Sequence, residues 1–358
     1  MKTGRTLMEL AQELDRQNKV KKDYLIDTPA LHMFHEDGKI SLGLGGQSET
    51  PVPANLFEVN DLAHRQIGIA LGIPAKYYDK LMQQHPDLLL ANVNGLFERE
   101  PARRMIRTMD GKARAFLSDR YRRVDNFEIA EMVLPIIGEM KDARIESCEI
   151  TDERMYIKVV NPRLEAEVVP GDVVQSGIIV TNSEVGLGSF KVEPLVYRLV
   201  CTNGMVVNDA AMRRKHVGRH NTVGENYEIY QDDTLRADDR AFMLKARDIV
   251  RAAVDDAKFK RVVDLMRKAK GIELPTHDVP QLIELTAKEY RLTEKEGNGI
   301  LSHLIKGGDL SLYGLSNAFT RYSQDVESYD RATEFESMGF DILTMPKQTL
   351  KRITPEVA

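Results

Sequence analysis

The chain has no tryptophan and only two cysteines, Cys148 and Cys201, in 358 residues. Two thiols cannot staple a disulfide framework, so stability must come from packed cores, and a reducing cytoplasm is the expected location. No run approaches the roughly 20 apolar residues that cross a bilayer, and the opening segment MKTGRTLMELAQELDRQ lacks the apolar stretch of a secretory leader. No membrane partner is expected. Excess positive charge is missing too, since 50 Lys and Arg stand against 55 Asp and Glu for a net charge of -5. That balance excludes the globally basic character of a polyanion-coating protein and confines any polyanion site to a local patch. Losing tryptophan removes one base-stacking ring but leaves 12 tyrosines and 11 phenylalanines.

Catalytic signatures are also missing. LGLGG over 42–46 is not the GxGxxG dinucleotide fingerprint, and IKGGDLS over 305–311 is not a phosphate-cradling GxxxxGK loop. There is no HExxH helix and no GxSxG elbow. Cys201 has only His216 and His220 as candidate bases, and nothing in the sequence anchors either. Asp172, Glu184 and Glu193 are carboxylates of the kind nucleases use to hold a metal, but no spacing singles them out. No cofactor, metal or catalytic residue is assigned on these grounds.

What the sequence does carry is alternating β pattern followed by helical pattern. Leu7, Leu10, Ala11 and Leu14 recur at helical spacing, and Asn60 caps a helix over 61–71 that is followed by a second one opened by Pro74. Asp37-Gly38 and Asp110-Gly111 read as tight hairpin turns, and a further hairpin pairs 144–150 with 154–160 around Thr151-Asp152-Glu153. Residues 171–207 add two β-branched runs, the second ending at Asn203-Gly204, read as a tight reversal. A helix begins at Asn126 with Pro135 inside it. Beyond 234 the pattern is helical, over 235–270, 280–292, 297–305, 310–322 and 329–338, the last stopped by Gly339. The expectation is an α+β protein with a central, mainly antiparallel sheet over about 88–207, flanking helices and a helical C-terminal region. Its expected divisions are an N-terminal helical and β region over 1–87, a central β-rich domain with a basic edge over 88–222, and a helical region over 223–358.

Three constellations bear on function. Arg103, Arg104, Arg107, Lys112, Arg114, Arg120, Arg122 and Arg123 interleave with Phe116 and Tyr121. On a hairpin, residues two apart share a face, so Arg120 and Arg122 project together. Arginine forks grip phosphate and aromatic rings stack on unpaired bases, which suits single-stranded nucleic acid; the competing reading is a solvated face paired with carboxylates. Next, Arg213, Arg214, Lys215 and Arg219 lie beside His216 and His220, which with Cys148 and Cys201 form a weak zinc pattern that Gly218 argues against. The third is the helix pair HRQIGIALGIPAKYYDKLM, which has the cadence of a helix-turn-helix. Its second helix offers Ile73, Tyr77, Tyr78 and Leu81 rather than base-reading donors, so packing is expected.

Several blocks, RAFLSDRYRRVDN, GIIVTNSEVGLGS, YRLVCTNGM, KHVGRH and LYGLSNAFTRYSQD, stand in an order and separation that resemble the phage/plasmid-like proteins grouped as a domain of unknown function, DUF932. The resemblance implies a mobile genetic element and supplies no catalytic residue. The resulting expectation is non-enzymatic binding of single-stranded DNA in recombination, replication or protection of such an element, by a homo-oligomer. Arg103, Arg104, Arg107, Arg114, Arg120, Arg122 and Arg123 would contact phosphates, Arg213, Arg214, Lys215 and Arg219 would extend the track, and Phe116 and Tyr121 would stack bases. The alternatives are a metal-dependent enzyme on nucleic acid and a module that docks a host protein through Leu312, Tyr313, Asn317 and Phe319.

Overall fold

A computed structural model describes residues 1–45, 55–121, 123–188, 190–207, 232–251, 256–274 and 279–354. It is α+β, with two sheets rather than one. The first is six-stranded in the order β1-β5-β6-β4-β3-β2, from β1 (Lys22–Asp27), β2 (Leu31–Glu36), β3 (Lys39–Leu44), β4 (Leu56–Val59), β5 (Arg103–Met109) and β6 (Lys112–Ser118). The second is five-stranded in the order β11-β10-β9-β8-β7, from β7 (Arg144–Ile150), β8 (Met155–Glu167), β9 (Val173–Asn182), β10 (Lys191–Arg198) and β11 (Asn203–Val206). The β5–β6 hairpin, expected in a central sheet, instead pairs with β1 on one side and β4 on the other, and the β4–β6 pair is parallel.

Local turn chemistry explains the hairpins. Asp37-Gly38 and Asp110-Gly111 have φ of 50° and 76°, and 52° and 75°, the paired positive angles of the turns whose twist matches antiparallel strands. The reversal before β11 falls earlier than expected. Asn203 already pairs with Arg198 and Gly204 with Tyr197, and the positive φ, 51°, belongs to Thr202.

One face of the first sheet packs on helices α2 (Asp61–Ala70), α3 (Ala75–Gln84) and α4 (Pro86–Arg99), burying Met33, Leu42, Ile106 and Phe116 against Ile67, Leu81, Val93 and Phe97. The Asn60 side chain caps α2 by accepting the Ala63 N–H at 2.8 Å. The α2–α3 pair packs through Tyr78 and Leu81, which are buried, and Ile73, which is partly so, whereas Tyr77 is exposed; His64 Nδ1 lies 2.9 Å from the Tyr78 hydroxyl. Burial pushes the His64 imidazole down to about 4 from its ordinary value of 6.5. Below pH 6.5 the unfolded chain therefore takes up a proton that the folded one refuses, and stability falls as pH falls. About 2 kcal/mol is the expected loss between pH 6.5 and about pH 5. Denaturant titrations of wild type and His64→Gln across that range check it, since the variant should lose this part of the slope.

The second sheet is covered on both faces. Ile157, Val159, Ile178, Val180 and Val192 face α5 (Asn126–Glu139), with Leu10 and Leu14 of α1 (Leu7–Val20) and Phe242 and Ala246 of α6 (Asp232–Arg251). The opposite face meets Tyr329 of α11 (Tyr329–Leu343). The remaining helices are α7 (Asp256–Lys270), α8 (Val279–Tyr290), α9 (Glu294–Gly307), α10 (Leu312–Tyr322) and α12 (Lys347–Ile353), with their own core around Phe319 and Phe335. Gly339 does not end α11 but sits within it. A Cβ there would stand 2.3 Å from Thr320 Cγ2, so the glycine lets α10 and α11 cross closely. Of the residues expected on a host-docking face, Leu312, Tyr313 and Phe319 are buried in that helical core and Asn317 is half-buried.

Candidate functional site

A bulge decides where the arginines of the β5–β6 hairpin point. Arg107 stands opposite Ala115 and Thr108 opposite Ala113, so β6 carries one extra residue, Arg114. A bulge re-aims its side chain, and here Arg114 joins Arg107 in facing residues 183–188, the connection between β9 and β10 in the other sheet. Arg107 Nε and Nη2 reach the two Asp23 oxygens at 2.8 and 3.2 Å, Nη2 also reaches Asp125 Oδ1 at 2.8 Å, and Nη1 donates to the Glu184 carbonyl at 2.8 Å. Arg114 pairs with the Glu184 carboxylate, whose other oxygen accepts the Asn126 N–H at 2.6 Å. Lys21 meets Asp125 at 2.8 Å and Arg123 meets Asp23 at 2.9 Å.

The electrostatics of this clasp follow from its burial. Desolvation opposes the charge on Arg107, but Asp125, Asp23 and Glu184 outweigh it and raise the guanidinium pKa. Desolvation likewise opposes the charge on Asp125, and Arg107 and Lys21 overcome it, holding that carboxyl below its ordinary value.

The expected phosphate-contacting residues therefore divide. Arg107, Arg114 and Phe116 are not surface groups. Arg107 is 0 % exposed and Arg114 is buried on Glu184, while Phe116 stacks on Phe97 with ring centroids 5.9 Å apart. Tyr121 donates its hydroxyl to the Ser183 carbonyl at 3.3 Å and is held in place rather than free to stack. Arg123 is exposed but paired with Asp23. Strand β6 stops at Ser118, and Arg120 lies in a turn rather than on the strand. Arg122, Arg213, Arg214, Lys215 and Arg219, together with His216 and His220, lie outside the described residues.

Arg103, Arg104 and Arg120 remain. Arg104 stands opposite Ser118 in the hairpin register, two residues before Arg120, and Arg103 adjoins it on the other face of the strand, so all three lie at one end of the first sheet. Arg103 and Arg120 are exposed. The Arg104 guanidinium lies 5.6 Å from the Phe116 ring centroid, and its Nε is buried without a hydrogen-bond partner. Among the described residues none of the three pairs with a carboxylate. The cysteines are far from one another in the sheet, Cys148 on edge strand β7 and Cys201 in the turn between β10 and β11, so they do not share a metal site. Burial pushes the Cys148 thiol up to about 11.

The sequence reading missed a second polar cluster. Lys158 and Glu336 are both 0 % exposed, with Nζ 2.7 Å from Glu336 Oε2, although neither carboxylate oxygen has an aligned hydrogen bond. Nζ also reaches Thr333 Oγ1 at 3.2 Å and lies 4.5 Å from the Tyr329 ring centroid. Tyr329 in turn shares a 2.7 Å hydrogen bond with Ser147. The available signal is a lysine in the middle of MYIKVV, every residue of which is buried.

No curated protein and no solved structure matches the chain. The sequence profile of one family, described as a domain of unknown function (DUF932), matches residues 115–339. That span runs from the second half of β6, just past the bulged Arg114, through the Glu184 loop and the whole second sheet, to the close helix crossing at Gly339. It covers more than half of the chain, and the chain belongs to the DUF932 family.

Proposed function

We propose that this protein binds single-stranded DNA without cutting it, in the recombination, replication or protection of a mobile genetic element. The observation that supports this is the gathering of Arg103, Arg104 and Arg120, three cations without a carboxylate partner among the described residues, at one end of the first sheet. Guanidinium forks in such a position suit phosphate oxygens. The resemblance to phage/plasmid-like proteins supports the biological setting. A patch of three arginines is short, and a homo-oligomer would repeat it along a strand.

Three phosphate contacts to a single strand give a salt dependence of log affinity with a slope of roughly -2. Fluorescence anisotropy with a labelled oligothymidine should show this slope. Arg103→Ala with Arg120→Ala should weaken binding about 10-fold with an unchanged unfolding midpoint, because both side chains are exposed. Binding that is absent, or indifferent to salt, would remove the reading. Cleavage of the oligonucleotide that chelator abolishes would replace it with a metal-dependent enzyme.

A further inference from the structure

Helices α2 and α3 keep in space the helix-turn-helix cadence of their sequence. Helix α2 runs beside β6, held by the Asn60 N–H on the Ala113 carbonyl at 3.2 Å and by Gln66, whose Oε1 accepts the Phe116 N–H at 2.7 Å. Residues 71–74 join it to α3. Gly72 turns the chain with φ of 66°, the Ile73 N–H closes on the Gly68 carbonyl at 2.9 Å, and Pro74 stands at the N-cap of α3. Gly68 keeps the helices close, since a Cβ there would meet the Tyr78 ring at 3.1 Å. Two packed helices joined by a short glycine-bearing turn form the arrangement that sets a second helix into the DNA major groove.

The two faces of α3 are unlike. Tyr78 and Leu81 are buried and Met82 is half-buried, all three against the core of the first sheet. Lys76, Lys80 and Gln83 follow one another at i, i+4 and i+7, which places them on the face that this packing leaves free, and all three are exposed. Neither lysine pairs with a carboxylate among the described residues. Asp79 is the one acid of the helix. Unpaired ammonium groups complement a groove bordered by phosphates, where lysine reaches guanine O6 and N7 and glutamine pairs with adenine N6 and N7. The same stripe holds no apolar side chain for a protein partner to bury. We propose that α3 reads duplex DNA from the major groove through Lys76, Lys80 and Gln83, at a site separate from the arginines proposed to hold a single strand.

Selection by the full chain from a pool of short duplexes with random central sequence, followed by anisotropy on the enriched duplex, tests this. The bound duplexes should share one sequence. Affinity for it should fall about 10-fold in Lys76→Ala with Lys80→Ala, an exposed pair whose loss leaves the unfolding midpoint unchanged. Ala75→Glu, at the exposed start of α3, should abolish binding in a folded protein, because an acid favours the first turn of a helix but is repelled by the phosphates around the groove. Lys19→Ala with Lys288→Ala removes the same charge from other helices and should leave affinity unchanged. Duplex binding is read without oligothymidine, so either reading can fail while the other stands. The proposal is overturned if the bound duplexes share no sequence, if Ala75→Glu binds as well as wild type, or if the distant lysine pair weakens binding as much as the α3 pair.

Discussion

Arg107→Ala should cost about 3–5 kcal/mol of folding stability, the range for removing one partner of a buried ion pair. The reason is what the substitution strands. Asp23 and Asp125, both largely buried, would lose the guanidinium that reaches them at 2.8 Å, and the Glu184 carbonyl would lose its donor. Lysine should not rescue the position, because one ammonium cannot match a planar fork that meets both Asp23 oxygens, Asp125 and a carbonyl at once. Replacing Arg107, Asp23 and Asp125 together with uncharged residues of similar volume should recover part of the loss, since neither aspartate is then left without the guanidinium, while Lys21 keeps only Glu184, at 3.6 Å. Urea unfolding of the three proteins measures this. A loss under about 1 kcal/mol in the alanine variant would show that the two sheets are joined by something else. The pH dependence has a fixed sign: Asp125 is held below its ordinary value, so the clasp's contribution is present above that value and drains away as pH falls through the folded one.

That clasp also marks how far the sequence could be followed. Turns and caps are local, and Asp37-Gly38, Asp110-Gly111, Asn60 and the Thr151 turn all specify their own geometry within a few residues. Sheet membership is not local. Strand β5 pairs with β1, setting Arg107 opposite Asp23 at a sequence separation of 84. Nothing in the arginine-rich segment announces a carboxylate that far upstream, so its charge pattern reads as a surface. The bulge at Arg114 adds a one-residue shift that alternation cannot foresee. Gly339 and Asn203-Gly204 fail for a related reason. Glycine marks both turns and close approaches, and only the crossing of α10 and α11, or the pairing of β11 with β10, tells which applies.

Lys158→Met should likewise cost about 3–5 kcal/mol, and here the double-mutant cycle is decisive. The single substitution leaves the Glu336 carboxylate fully buried, with no cation at 2.7 Å to offset it. Glu336→Leu alone strands the lysine in the same way. Lys158→Met with Glu336→Leu removes both charges and fills the space with apolar side chains, so it should come within about 1–2 kcal/mol of wild type or exceed it. Burial pulls the Lys158 pKa down and outweighs the opposing pull of Glu336. A lysine depressed in the folded state gives up its proton more readily there than in the unfolded chain, so this site's contribution to stability grows as pH rises toward the ordinary lysine value. The double variant should lack that alkaline rise. Equal destabilisation in the single and double variants would mean that shape alone, and not charge pairing, fixes α11 to the sheet.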